Sequence, residues 1–237
     1  GNEAELRRAI VEAQCNLVSR GLTSGSSGNV SARLAADEML ITPTGVAPAA
    51  LRPEHIVRAS LDGRPVAGQL TPSSEWRIHA DIYHARPAAA AVVHCHSTYA
   101  TMLACAHRPI PAVHYMLAAT GRCDVPLADY ATFGTAALSR SVLAALENAQ
   151  VCLMANHGQI ATADSLEKAF RLAELVEEVA HWYWGVLAMG DTPRLLSPVE
   201  IDEALAAFAG YGQQLTEPGL ASGNALHLRS RADKKGD

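Results

Sequence analysis

Lysine is nearly missing from this chain: Lys168, Lys234 and Lys235 are the only three in 237 residues. One falls on a predicted helix and two in a polar tail, so no candidate site motif contains an amine able to form a Schiff base. Long apolar runs are missing as well. No stretch approaches the roughly 18 consecutive apolar residues of a membrane span, and the charged, amphipathic N-terminus is unlike a secretory signal. The expectation is a cytoplasmic protein with no membrane partner. There is no long basic patch, and the net charge is -5, which argues against nucleic acid or an anionic membrane and for a small ligand. Paired cysteines are missing too. Cys15, Cys95, Cys105, Cys123 and Cys152 are scattered, with no pair at zinc-finger spacing, so free thiols are expected and a structural zinc is not.

What the chain does have is an apolar fraction of 49%, enough for one substantial core and ordinary for a globular α/β domain. Leu6, Ile10, Ala13 and Leu17 recur at helical spacing before Gly21, which predicts an opening amphipathic helix. Turn residues around Gly25, Gly28 and Asn29 then lead into three predicted strands, 30–34, 39–42 and 55–61, broken by Pro43, Gly45, Pro48 and Pro53. From Ser73 the period changes: Ser74 can cap a helix carrying Trp76, His79, Ala80 and Tyr83 on one face, with Glu75 in its first turn and Pro87 as its stop. A buried strand follows over 88–94. Leu138, Val142, Ala145 and Leu146 predict another helix, Val151 opens another strand, and 166–187 reads as a long amphipathic helix. Ser197 with Glu200 forms a capping box for a last helix containing Leu205 and Phe208. The fold expected is a three-layer α/β domain with a central, largely antiparallel sheet between helices, spanning 1–215. The polar, charged segment 216–237 reads as a flexible or loosely docked tail.

His94 and His96 flank Cys95 at the end of an apolar run, and His157 closes a second one. On a strand, residues two apart point the same way, so two imidazoles can grip one cation. A third from a neighbouring strand end, with one coordination position left for water or substrate, is the usual form of a catalytic zinc site. Glu75 is the candidate carboxylate to complete it. Each element also has a plainer reading: a core histidine beside an exposed one, an Asn-His-Gly turn, a capped helix at Ser73-Ser74-Glu75. Cupin-like and metallo-β-lactamase-like sites are excluded by the residues after the pair, Ser97, Thr98, Tyr99 and Ala100. Cys95 should face away from its neighbours as a packing residue.

Several ordered segments together resemble the class II aldolase/adducin family: Gly28-Asn29-Val30-Ser31, Leu40-Ile41-Thr42-Pro43-Thr44-Gly45, Ser73-Ser74-Glu75-Trp76 and Val92-Val93-His94-Cys95-His96. Further along come Ile110-Pro111-Ala112-Val113-His114-Tyr115-Met116, Tyr130-Ala131-Thr132-Phe133-Gly134-Thr135 and Asn156-His157-Gly158. The resemblance implies that His94, His96 and His157 hold zinc, with manganese or cobalt as substitutes, and that Glu75 is both fourth ligand and catalytic acid/base. It implies that Asn29, Thr44, Gly45, Ser73 and Ser74 surround a substrate phosphate, where amides and hydroxyls at a helix N-terminus can hold a dianion without a lysine cluster. It implies that Tyr115 acts from the neighbouring subunit of a homotetramer, and that Tyr211 covers the site. The reaction implied is cleavage of a ketose 1-phosphate (L-fuculose, 5-deoxyribulose or 5-methylthioribulose 1-phosphate) to dihydroxyacetone phosphate and an aldehyde, through a metal-stabilised enediolate. Two other branches are possible outcomes: a ribulose-phosphate 4-epimerase, whose members carry aspartate in place of Glu75, and a non-catalytic adducin-like scaffold, which lacks the metal histidines.

Overall fold

Residues 2–66 and 69–208 are described here in a computed structural model of the chain. Helix α1 (Glu3–Ser19) opens with a capping box in which Asn2 and Glu5 satisfy each other's backbone donors, and Gly21 follows its C-cap with φ +70°. The strands β1 (Asn29–Ala35), β2 (Glu38–Ile41) and β3 (Val57–Ser60) form a meander. Two short 3₁₀ turns, Pro48–Ala50 and Pro53–His55, lie before β3, so the strand expected from His55 starts two residues later, where the proline-led turn releases the chain.

Helix α2 (Trp76–Ala85) leads to β4 (Ala91–Cys95), which is shorter at its start than expected because the chain turns at 87–88. Then come α3 (Thr98–Cys105), a 3₁₀ helix at Tyr115–Thr120, β5 (Leu127–Ala128) and α4 (Ala136–Ala145). The chain continues through β6 (Val151–Met154), β7 (Gly158–Ala163), α5 (Leu166–Ala188) and α6 (Pro198–Phe208). Ser197 and Glu200 form the expected capping box of α6: each side chain accepts from the other's backbone N–H, at 2.7 and 3.2 Å.

The strands join in one sheet, in the order β3-β2-β1-β4-β7-β6-β5, and every pairing except β5 with β6 is antiparallel. Strict alternation assigns the two faces. Val30, Ala32, Leu40, Ala91, Val93, Cys95, Val151, Leu153 and Ala161 pack beneath α1, α3 and α5. Met39, Ile41, Val57, Val92, Cys152, Met154 and Ile160 pack beneath α2 and α4. Hence Asn29, Ser31 and His94, which share parity with Val92, face α2. None of the described helices is long and apolar enough to cross a membrane. The tail 216–237 lies outside the described residues.

Candidate metal centre

Helix α2 begins one residue later than its sequence suggests. Glu75 rather than Ser74 is its N-cap, and the Ser73 hydroxyl accepts from the Glu75 backbone N–H at 3.3 Å. That half-in position turns the Glu75 carboxylate back toward the end of β4, where it is 7% exposed. His94 lies on β4, and His96 follows just past its end. His157 sits in the tight turn between β6 and β7, bringing a third imidazole alongside because β7 pairs with β4.

Glycine makes this approach possible. A Cβ on Gly158 would stand 2.5 Å from the Cys95 carbonyl oxygen and 2.9 Å from His96 Cδ2, so no other residue fits beside the pair. The same turn holds Asn156 at φ +53°, with its side-chain oxygen 2.6 Å from His107 Nε2.

The four candidate ligand atoms lie within 4.8 Å of one another. His94 Nε2 is 3.1 Å from His96 Nε2 and 3.2 Å from Glu75 Oε2, and His157 Nε2 is 3.2 Å from Glu75 Oε1. A tetrahedron whose corners lie about 2.0 to 2.1 Å from its centre has edges of about 3.3 Å, which is the spacing zinc-type coordination requires. The three rings meet edge to face, with centroids 4.8 to 5.0 Å apart. His94 Nδ1 lies 2.8 Å from the Gln159 carbonyl oxygen. A carbonyl accepts only, so Nδ1 carries the proton and Nε2 presents its lone pair to the centre. Glu75 Oε1 is buried without a hydrogen-bond donor. A divalent cation would satisfy that oxygen and all three lone pairs, so the donor set fits a metal ion.

The electrostatics agree. Burial alone would raise the Glu75 carboxyl, but the adjacent His94 and His157 imidazoles outweigh it and hold the group far below the usual carboxylate range. Burial, then the neighbouring His94 and His157, push His96 down to about 4. The centre therefore offers one anion and, at His96, an imidazole that resists protonation, which favours cation binding. Cys95, on the opposite face, packs in the core beneath α5, and burial pushes its thiol up to about 12, so it offers no thiolate.

Around this cluster lie the residues expected at the phosphate. Segment 42–44 pairs with 71–73 through Thr44 N–H to the Thr71 carbonyl and Ser73 N–H to the Thr42 carbonyl, both 3.0 Å, which sets the Thr44-Gly45 loop beside Ser73-Ser74. Thr44, Gly45 and Ser74 are exposed, whereas Ser73 and Asn29 are buried. Tyr115 does not join them within one chain. It lies on the α5 side of the sheet, 50% exposed, against His114 and Phe208. Tyr211 lies outside the described residues.

Sequence reasoning placed His79 only on the apolar stripe of α2. It is fully buried, with Asn29 Oδ1 at 2.5 Å from Nε2 and Ser31 Oγ at 2.7 Å from Nδ1. A histidine inside an otherwise apolar stripe was the available signal. Burial, then the nearby His94, push its imidazole from 6.5 down to about 3. As pH falls through 6.5, the unfolded chain accepts a proton that the native chain refuses. The stability contributed by this group is thus complete above pH 6.5 and drains away toward pH 3. Between pH 7 and pH 5 that loss amounts to about 2 kcal/mol. His94, raised by its pair with Glu75 against the opposing effect of burial, acts in the reverse sense. Urea titrations of metal-free wild type against His79→Phe therefore isolate the effect: wild type should lose stability relative to the variant on going from pH 7 to pH 5, and parallel curves would contradict it.

A largely antiparallel sheet between helices, with three imidazoles and one carboxylate converging at the rim of its α2 face, defines an α/β protein with a candidate metal centre. The sequence profile described as Class II Aldolase and Adducin N-terminal domain matches residues 8–184, and the chain belongs to that family. It is 45% identical over 218 residues to a 5-methylthioribulose-1-phosphate/5-deoxyribulose-1-phosphate aldolase of Rhodospirillum rubrum, covering 92% of this chain and 97% of that one. It is 44% identical over 213 residues to the L-fuculose phosphate aldolase of Escherichia coli K12, covering 90% and 98%. A solved structure of an L-fuculose 1-phosphate aldolase superposes with a TM-score of 0.81 at 36% identity, covering 86% of this chain and 96% of the other.

Proposed function

We propose that the protein is a zinc-dependent aldolase that cleaves a ketose 1-phosphate to dihydroxyacetone phosphate and an aldehyde. The observation that carries this reading is the convergence of His94, His96 and His157 on a buried carboxylate with one oxygen lacking a donor. Relatives named as ketose-1-phosphate aldolases support it across nearly the whole chain. The three imidazoles and, at rest, Glu75 would hold the ion. Once bound, it supplies a Lewis acid for the substrate's carbonyl and hydroxyl oxygens and offsets the negative charge that develops as the carbon–carbon bond breaks.

The chain's own groups do the rest. Asn29, Thr44, Gly45, Ser73 and Ser74 hold the phosphate at the start of α2, where backbone N–H groups and hydroxyls favour an anion. Glu75, displaced from its resting position by substrate and protonated from solvent, gives that proton to the carbon left by the departing aldehyde, while the proton lost from the C4 hydroxyl leaves by way of Tyr115. Tyr115 serves the aldehyde oxygen from a neighbouring subunit, which makes the working unit a homo-oligomer, a tetramer by family likeness. The exposure of its ring on the far side of its own sheet supports a role in trans. The five cysteines, all unpaired, suit a reducing cytoplasm.

L-Fuculose, 5-deoxyribulose and 5-methylthioribulose 1-phosphates share the phosphate and enediol half and differ beyond C4. One methyl or thiomethyl group is worth about 1 to 3 kcal/mol in an apolar pocket, so the enzyme should accept all three with graded kcat/KM. Steady-state kinetics with dihydroxyacetone phosphate as the measured product tests this. Release of none, with inversion at C4 of a pentulose 5-phosphate instead, would move the protein to the epimerase branch. No turnover and no bound metal would leave a scaffold.

A further inference from the structure

Behind Glu75 lies a chain of buried polar groups in which the proposed reaction gives a task to Asn29 alone and none to His79, Ser31 or Tyr83. Asn29 Nδ2 donates to Glu75 Oε2 at 3.0 Å, and Asn29 Oδ1 lies 2.5 Å from His79 Nε2. His79 Nδ1 is 2.7 Å from Ser31 Oγ, which is in turn 2.7 Å from the Tyr83 hydroxyl. His79, Ser31 and Tyr83 are at most 1% exposed. The groups come from two elements only, β1 and α2, joined across the sheet face.

Only one assignment of protons satisfies this chain. The Glu75 carboxylate accepts only, so the Asn29 NH₂ must face it and the Asn29 carbonyl must face His79. The imidazole therefore carries its proton on Nε2. Nδ1 is then a bare acceptor, Ser31 Oγ donates to it, and the Tyr83 hydroxyl donates to Ser31. The opposite tautomer would turn the Asn29 carboxamide over and place its oxygen against a carboxylate oxygen at 3.0 Å, an acceptor facing an acceptor in a dry site. A carboxamide carries no readily transferred proton, so the chain orients groups and does not conduct protons.

We propose that His79 is a positioning residue for the acid/base Glu75: its Nε2–H locks the Asn29 carboxamide in the one flip that aims an N–H at Glu75 Oε2. This rests on the aldolase reading for the meaning of Glu75, while the tautomer stands independently of it.

The test uses full-length protein with its metal restored. His79→Phe keeps the ring volume and removes both hydrogen bonds, and kcat should fall about 10- to 100-fold, the usual cost of removing such a support, while bound metal stays stoichiometric. His79→Gln, whose amide can donate to Asn29 and accept from Ser31, should recover most of the loss and covers the case in which His79→Phe fails to fold. In an Asn29→Ala background the loss from His79→Phe should largely vanish, because the group it positions is gone. Additive losses would reduce His79 to a packing residue and overturn the proposal. Long-range proton–nitrogen spectra of metal-free wild type should show His79 protonated on Nε2, and an Nδ1–H tautomer would overturn the proposal whether or not the protein is an aldolase. Absence of dihydroxyacetone phosphate from wild type, with the Nε2–H tautomer present, would instead sink the aldolase reading alone.

Discussion

Purified His94→Ala and His96→Ala proteins are expected to lose bound metal and carbon–carbon cleavage together. Each imidazole supplies one corner of a set whose ligand atoms lie within 4.8 Å of one another, with three contacts of 3.1 to 3.2 Å close to a tetrahedral edge, and two imidazoles with a carboxylate hold a divalent ion less firmly than three. His94 should be the more costly loss. Its ring is oriented by the Gln159 carbonyl on the adjacent strand, so its lone pair is aimed before any cation arrives. Without the ion, no lysine among the described residues compensates the charge that develops on the substrate oxygens, since Lys168 pairs with Asp164 beside the start of α5. Electrophilic assistance by a metal is worth several kcal/mol of transition-state stabilisation, which corresponds to a fall of about 1000-fold or more in kcat. Treatment of wild type with a chelator should reproduce the loss, and added zinc should reverse it in wild type far more completely than in the variants. Metal content by mass spectrometry and dihydroxyacetone phosphate release decide the matter. Full metal and wild-type turnover in both variants would remove the basis of the proposed mechanism.

Local pattern was enough to find most of the elements that carry this centre. The apolar stripe of α5, the Ser197–Glu200 capping box and the apolar run of β4 are all short-range signals, and they sit where the sequence places them. β7 escaped because its six residues are all buried, including Gln159, whose Nε2 donates to Ser97 Oγ and the Ala173 carbonyl, and Thr162, whose hydroxyl donates to the Ala91 carbonyl. No period-2 contrast survives in such a strand. α3 escaped for a different reason. It is only eight residues long, follows directly on the histidine pair, and is apolar almost all round, so it has no amphipathic stripe to detect. Among the site residues, the His94–His96 spacing is legible because strand geometry alone makes two such rings neighbours. The Asn29–His79 contact spans 50 residues, and nothing local to either residue announces the other. Tyr115 stands further still from sequence reach, because its proposed partner group belongs to another copy of the chain.

Replacing Glu75 by glutamine should separate metal binding from proton transfer. The two side chains have nearly the same shape, and the amide oxygen introduced by Glu75→Gln can still accept from Asn29 Nδ2, which donates to Oε2 at 3.0 Å in the native chain. Three imidazoles are untouched, so the ion should stay. What disappears is the exchangeable proton. A general acid/base contributes about 10² to 10⁴-fold to a rate, and kcat should fall within that range. The environment explains why a carboxylate is needed here and why it must move. At rest the carboxylate is held at the centre, with Oε2 3.2 Å from His94 Nε2 and Oε1 3.2 Å from His157 Nε2. Substrate that displaces it from the centre relieves that hold and lets its proton affinity rise toward a useful value. Glu75→Asp gives the complementary result: the charge is kept, but the side chain is one methylene shorter, so the carboxylate reaches the centre less well and activity should be reduced while pH dependence is preserved. Solvent-deuterium incorporation into dihydroxyacetone phosphate, followed by NMR, reads the proton step without requiring cleavage. Wild type should exchange the proton stereospecifically, and Glu75→Gln should exchange it far more slowly at unchanged metal content. Exchange as fast as wild type in that variant would assign the proton to a different group and leave Glu75 as a ligand only.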